Sequence, residues 1–163
     1  MGPAVGVTIR PAIAADSEAV VAVVRASWTA YPGVVFDLDG ELPELKTFAE
    51  SYEALGGRAW VAELDRRVVA CAAVAPDDEP GVWMLHKLNV LPEARRRGIG
   101  AALVREAETA ALAQDAVRMV LWSDTRFAGS HALYESLGYQ RMPETRTPYD
   151  LSNTEEYGFQ KNL

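Results

Sequence analysis

The chain has 163 residues, enough for one domain with a real core. Its 49% hydrophobic and 24% charged residues exclude disorder, and no apolar run approaches the ~20 residues that would span a bilayer. A formal charge of −7 and a pI near 4.9 set most of the surface against nucleic acid. The lone Cys71 excludes an internal disulfide and, with only His86 and His131 beside it, argues against a structural zinc site or any other metal centre. Met1-Gly2-Pro3-Ala4 is followed by neither a basic nor an apolar leader segment. These features predict a cytoplasmic protein with no membrane partner.

Val5–Arg10 alternates weakly and predicts a first strand. Asp16 is placed to cap a helix that repeats Val20, Val21, Val24 and Trp28 on one face, ended by Tyr31-Pro32-Gly33. Acidic residues gather in Phe36–Glu41, between two helices, where they could attract a cationic substrate; those of Asp77-Asp78-Glu79 read as a solvated loop. A second helix is predicted from Pro43, with Leu45, Phe48, Tyr52 and Leu55 turned inward and Gly56-Gly57 as its stop. Ala59–Leu64 and Val68–Val74 form a hairpin through Asp65-Arg66-Arg67. Val82–Val90 is apolar enough for the middle of a sheet. Ile99, Leu103, Ala107 and Ala111 mark a helix face, Val117–Trp122 a buried strand, and Gly129–Leu137 a short helix closed by Gly138. Tyr139–Met142 opens a further strand, and the alternating tail 157–163 suits a last edge strand. With no repeat or linker, residues 1–163 read as one α/β domain, and the helix between strands 82–90 and 117–122 predicts a parallel crossover.

The most informative segment runs from Asn89 to Leu103. A strand stops at Pro92, then come Arg95, Arg96 and Arg97, then Gly98 and Gly100, then an alanine-rich helix. Free backbone N–H groups, the positive end of a helix dipole and three guanidinium groups converge there, which makes an anion site. The segment is neither Gly-x-Gly-x-x-Gly nor a P-loop ending in Gly-Lys-Ser/Thr. A bare basic turn at a helix N-terminus would oppose the dipole, a cost that bound phosphate removes.

These residues resemble motif A of the GCN5-related N-acetyltransferases, the GNAT family. Leu85–Pro92 is similar to the family's fourth strand leading into its pyrophosphate loop, and Ala132–Tyr139 to its motif B, Leu-Tyr-Glu-x-x-Gly-Phe/Tyr. The two motifs in this order, with one helix and one strand between them, cover about residues 85–142. The resemblance implies the GNAT fold: a mixed, mostly antiparallel sheet with a splayed parallel pair and flanking helices. It implies acetyl-CoA as co-substrate and a primary amine as acceptor, joined in a direct ternary-complex transfer. Leu88, Asn89 and Val90 would meet the pantetheine arm. Arg95, Arg96, Arg97, Gly98, Ile99, Gly100 and Ala101 would cradle the pyrophosphate. Tyr134 matches the tyrosine that protonates the departing thiolate.

Two positions depart from the family. Phe127 stands where relatives often have the asparagine that contacts pantetheine, with Ser123 or Ser130 as substitutes. Met84 stands where many carry a glutamate base. The base is therefore His86, which without a bulge shares the strand face of Met84, or Asp124, or a water chain. His131 lies one turn before Glu135 and reads as its partner, and Cys71 as packing. Trp28, Tyr31 and Asp37, from the first helix and the loop after it, are the candidate acceptor contacts. The alternative function is a non-catalytic acyl-CoA-binding or regulatory module of the same fold. A small amine, an antibiotic, an amino acid and a protein N-terminus are all open as acceptors, as is a homodimer through a sheet edge.

Overall fold

The computed structural model describes residues 6–163. Met1–Ala4 and the first residue of the predicted opening strand lie outside them. The elements run β1 (Val7–Pro11), α1 (Ser17–Thr29), a short α2 (Leu38–Glu41), α3 (Phe48–Ala54), β2 (Arg58–Leu64), β3 (Arg67–Pro76), β4 (Val82–Val90), α4 (Ile99–Leu112), β5 (Arg118–Asp124), α5 (Ala128–Ser136), β6 (Gln140–Arg146) and β7 (Glu156–Asn162). Seven strands form one sheet in the order β1-β2-β3-β4-β5-β7-β6. Every neighbouring pair is antiparallel except β4 and β5. The β2–β3 turn is tighter than predicted: Leu64 pairs with Arg67 across Asp65 and Arg66, both at positive φ.

Several local expectations change in the folded chain. The tail is not an edge strand. β7 lies between β5 and β6 and pairs with both, which leaves β6 at the edge. Burial explains why: Phe159 on β7 is fully enclosed, while most of β6 is exposed. Asp16 does not cap α1 with its side chain. Its carboxylate accepts from the Ile13 N–H and pairs with the Arg10 guanidinium at 2.8 Å, so it ties β1 to the start of α1. The inward face of α1 is centred on Val20, Val23 and Val24, with Val21 and Trp28 partly buried against the same core. Pro43 opens a 3₁₀ turn, and the α-helix begins only at Phe48. Leu55, at its end, is 59% exposed instead of buried.

Two features of β4 shape the functional region. β4 and β5 pair only from Val82↔Arg118 to Met84↔Val120 and then part. Beyond that point β4 keeps only β3 as a partner and β5 only β7, so a cleft opens between them. The second feature is a bulge: Ala73 pairs with His86 but Cys71 with Asn89, so β4 holds one extra residue there. Lys87 takes it up at φ 55. The bulge follows His86, so Met84 and His86 do share a strand face.

Candidate active site

Two cavities meet where β4 and β5 part. Leu88, Asn89, Phe127 and Ser130 line both of them. One cavity, of about 590 Å3, runs to the arginine loop. The other, of about 580 Å3, is walled by β4, β5 and the loops near α2 and before β7.

The first cavity is lined by the loop expected to bind an anion. Arg95, Arg96, Gly98, Ile99, Gly100 and Ala101 line it; Arg97 does not. Arg96 and Gly98 both take positive φ, 65 and 75, which turns the loop sharply into α4. Ala102 is the first amide to bond back, to the Gly98 carbonyl at 3.1 Å. The amides of Ile99, Gly100 and Ala101 before it have no carbonyl within the helix to bond. Gly100 matters for another reason: a Cβ there would stand 2.9 Å from Leu133 Cδ2 on α5. Without it the backbone can approach a phosphate closely. Arg95 folds across this cavity, with its Nε donating to the Val90 carbonyl and its Nη2 to Ser27 Oγ, both at 3.3 Å. A pyrophosphate followed by an apolar arm fits these donors and the Leu88, Val90 and Phe127 walls beyond them. Tyr31 lies here, its ring 4.6 Å from that of Phe127, and not in the second cavity.

The second cavity holds the ionisable groups. Tyr134 lines it, is 5% exposed, and its hydroxyl has no hydrogen-bond partner among the described residues. Burial raises its pKa, so the phenol keeps its proton at neutral pH. His86 lies in the same wall, its ring 5.3 Å from that of Tyr52. Burial, and then the Lys87 and Arg146 charges, lower its pKa to about 4, so it is a neutral imidazole at pH 7. Trp28 lines this cavity and meets Phe36 edge to face. Asp37 caps the α2 turn by accepting from the Gly40 N–H at 3.1 Å and is not in the lining. Of the acidic loop, Glu41 is the residue that reaches the wall.

Lys87 is a residue of the site that sequence reasoning missed. Its ammonium pairs with Glu44 at 3.0 Å and faces the cavity. Burial pulls its pKa down, but Tyr52 and Glu44 outweigh that and the net shift is upward. The signal that could have found it is a lysine inside an otherwise apolar strand. Arg146 and Asp150 were missed as well; both line the wall from beyond motif B. Asp150 belongs to the strap 147–155 between β6 and β7. Ser152 Oγ accepts from the Val35 N–H at 2.8 Å, and the Leu151 N–H donates to Glu41 at 3.2 Å, which ties the strap to the loop around α2. Burial would raise the Asp150 pKa, but bonds from Thr154 and Ser152 lower it overall.

The remaining candidates have structural places. Asp124 accepts from both the backbone N–H and the Nε of Arg126, at 2.9 and 3.0 Å. His131 does not partner Glu135. Its Nε2 lies 3.1 Å from Ser123 Oγ and 3.0 Å from the Asp124 carbonyl, because α5 turns that ring toward β5. Cys71 is fully buried, donates to the Lys87 carbonyl at 3.2 Å, and its thiol is pushed up to about 12 by burial, which leaves it inert. No helix among the described residues is long and apolar enough to cross a membrane.

Comparison with solved structures defines the class. An acetyltransferase of the GNAT family from Staphylococcus aureus superposes with a TM-score of 0.82 over 96% of this chain and 99% of its own, at 18% identity. A putative acetyltransferase from Salmonella typhimurium, solved with acetyl-CoA, superposes at 0.77 over 97% and 94%, at 19% identity. The fold is that of GNAT acetyltransferases. Residues 20–139 match the acetyltransferase (GNAT) family, and the chain belongs to that family. Among curated proteins it is 30% identical to human N-acetyltransferase 8 over 126 residues, 74% of this chain and 53% of that protein. It is 33% identical to human N-acetylaspartate synthetase over 87 residues, 53% of this chain and 29% of that protein. The chain thus matches about half or less of these relatives' length.

Proposed function

We propose that this protein is an acetyl-CoA-dependent N-acetyltransferase that moves an acetyl group directly to a primary amine in a ternary complex. The observation that carries the proposal is the meeting of two cavities at the parting of β4 and β5, an anion cradle in one and Tyr134 with His86 in the other. The amides at the start of α4 and the side chains of Arg95 and Arg96 hold the pyrophosphate. Backbone groups of Leu88 and Val90, left without a β5 partner, meet the pantetheine arm. Acetyl-CoA supplies the activated acyl group, and the acceptor enters from the other side.

In the transfer a C–N bond forms and the C–S bond breaks. The Tyr134 hydroxyl, unpaired and protonated, donates its proton to the leaving sulfur. His86, neutral at pH 7, accepts a hydrogen bond from the amine and orients it. With its pKa near 4 it is a weak resting place for the amine's proton, which passes to water. Glu41, Glu44 and Asp150 offer acceptors to a cationic acceptor, and Lys87 and Arg146 offer donors to an anionic group on it.

Calorimetry with acetyl-CoA tests the first half, and thiol release over an amine panel the second. Tyr134→Phe is expected to lower kcat by roughly 100-fold or more while changing acetyl-CoA affinity little. Equal losses in both would remove the acid role from Tyr134. Binding without turnover on any acceptor would instead favour a non-catalytic acyl-CoA module, the reading that Phe127 and Met84 suggest.

A further inference from the structure

We propose that the Asn89 side chain, and not only its backbone, takes part in the transfer: its carboxamide donates a hydrogen bond to the thioester carbonyl oxygen and stabilises the negative charge that develops there. This role rests on the acetyl-transfer function proposed above.

Asn89 is 8% exposed in the middle of β4. Its side chain has no hydrogen-bond partner among the described residues, although a buried amide is ordinarily paired. Neither amide atom is sealed in, since among the described residues the one fully enclosed side-chain atom without a partner is Arg118 Nε. The carboxamide therefore keeps its exposure to open space, and the open space that Asn89 borders is the junction of the two cavities. A donor and an acceptor are held there unused, at the place where the acyl group must pass from one cavity to the other.

Asn89 is a buried side-chain donor at the point where the two cavities join, whereas Lys87, Arg146 and Tyr134 line only the second. Hydrogen-bond acceptors for an amine abound in the second cavity, among them neutral His86, Glu44 and Asp124. Of the four residues that line both cavities, Leu88 and Phe127 have no polar side-chain atom, and Ser130 is less buried than Asn89. A preorganised donor in a water-poor site counts for most when no ground-state bond must first be broken. Because the amide opens on the cavity, where water can solvate it, its removal should change the stability of the free protein little while it harms the reaction.

Three measurements on the 163-residue protein test this: thermal unfolding, acetyl-CoA affinity by calorimetry, and thiol release with putrescine, butylamine, L-aspartate and an alanine-led tripeptide. Asn89→Ala is expected to lower kcat roughly 100- to 1,000-fold. Its Tm should be no lower than wild type, and its acetyl-CoA affinity should stay within about threefold. Asn89→Asp, assayed at pH 9 where the carboxyl is ionised and donates nothing, should be as slow or slower. A lower Tm for Asn89→Ala with a proportionate loss of activity would make the side chain structural and overturn the role. Asn89→Asp with near wild-type turnover would overturn donation. Wild-type protein that binds acetyl-CoA yet releases no thiol would overturn the transfer function, and the Asn89 role with it.

Discussion

His86 and Tyr134 line one cavity, but their surroundings push them toward different work. Tyr134 is buried with an unpaired hydroxyl and stays protonated, a state suited to an acid. His86 is half-buried beside Lys87 and Arg146, and its proton affinity falls. That depression has a stability consequence with a definite sign. In the unfolded chain His86 titrates near 6.5, in the folded protein near 4, so between those values the unfolded state binds more protons. Stability contributed by the neutral ring is present above about pH 6.5 and is lost as pH falls toward 4. The full effect is roughly 3 kcal/mol by the pKa-to-energy conversion. Thermal unfolding of His86→Gln beside wild type from pH 7 to 4 should show a flatter decline for the variant, since other acid-sensitive groups cancel in the difference. Equal slopes would show that His86 titrates normally. The sequence offered His86 as a base on its strand position alone. The burial that does most to disarm it, and the Arg146 charge brought up from β6 beside that of Lys87, could not be seen there.

The arginine loop is the element where local sequence and final geometry agree best. Gly98 before α4, with φ 75, and Gly100, pressed against Leu133, do what their spacing suggested. A positive φ at Gly98 makes one substitution informative. Gly98→Ala should cost about 1–2 kcal/mol of stability, because a Cβ crowds the carbonyl in the left-handed region. For a chain of this length that is a Tm fall of roughly 2–8 °C, measurable by scanning calorimetry. Acetyl-CoA affinity should fall as well, because the strained loop re-aims the amides of α4. The acceptor elements were less legible. Trp28 reaches the second cavity as expected, but Tyr31, one turn of chain later, packs on Phe127 in the first, and Asp37 is spent on a turn. A helix face repeats with a period that can be read; the loop that leaves it does not.

At the scale of the whole molecule, the largest revision is the place of β7. An edge strand can lose a side chain cheaply, but Phe159 is fully buried beneath α5, near Tyr134 and His131. Phe159→Ala should therefore destabilise the protein by about 3–5 kcal/mol in urea unfolding, where an exposed edge position would cost well under 1 kcal/mol. That strand also anchors the strap 147–155, which helps to close a cavity whose other wall includes Val34 and Glu41. By itself the sequence determined most of the elements, the glycine turn at Arg95–Gly100 that opens α4, and Tyr134 on its short helix. All of these depend on residues within a turn or two of one another, where spacing dictates backbone geometry. Only the tertiary structure decided which charges face the second cavity and which strand fills the sheet. Those depend on partners up to 117 residues apart, such as Val35 and Ser152, and no periodicity links segments that far apart in the chain.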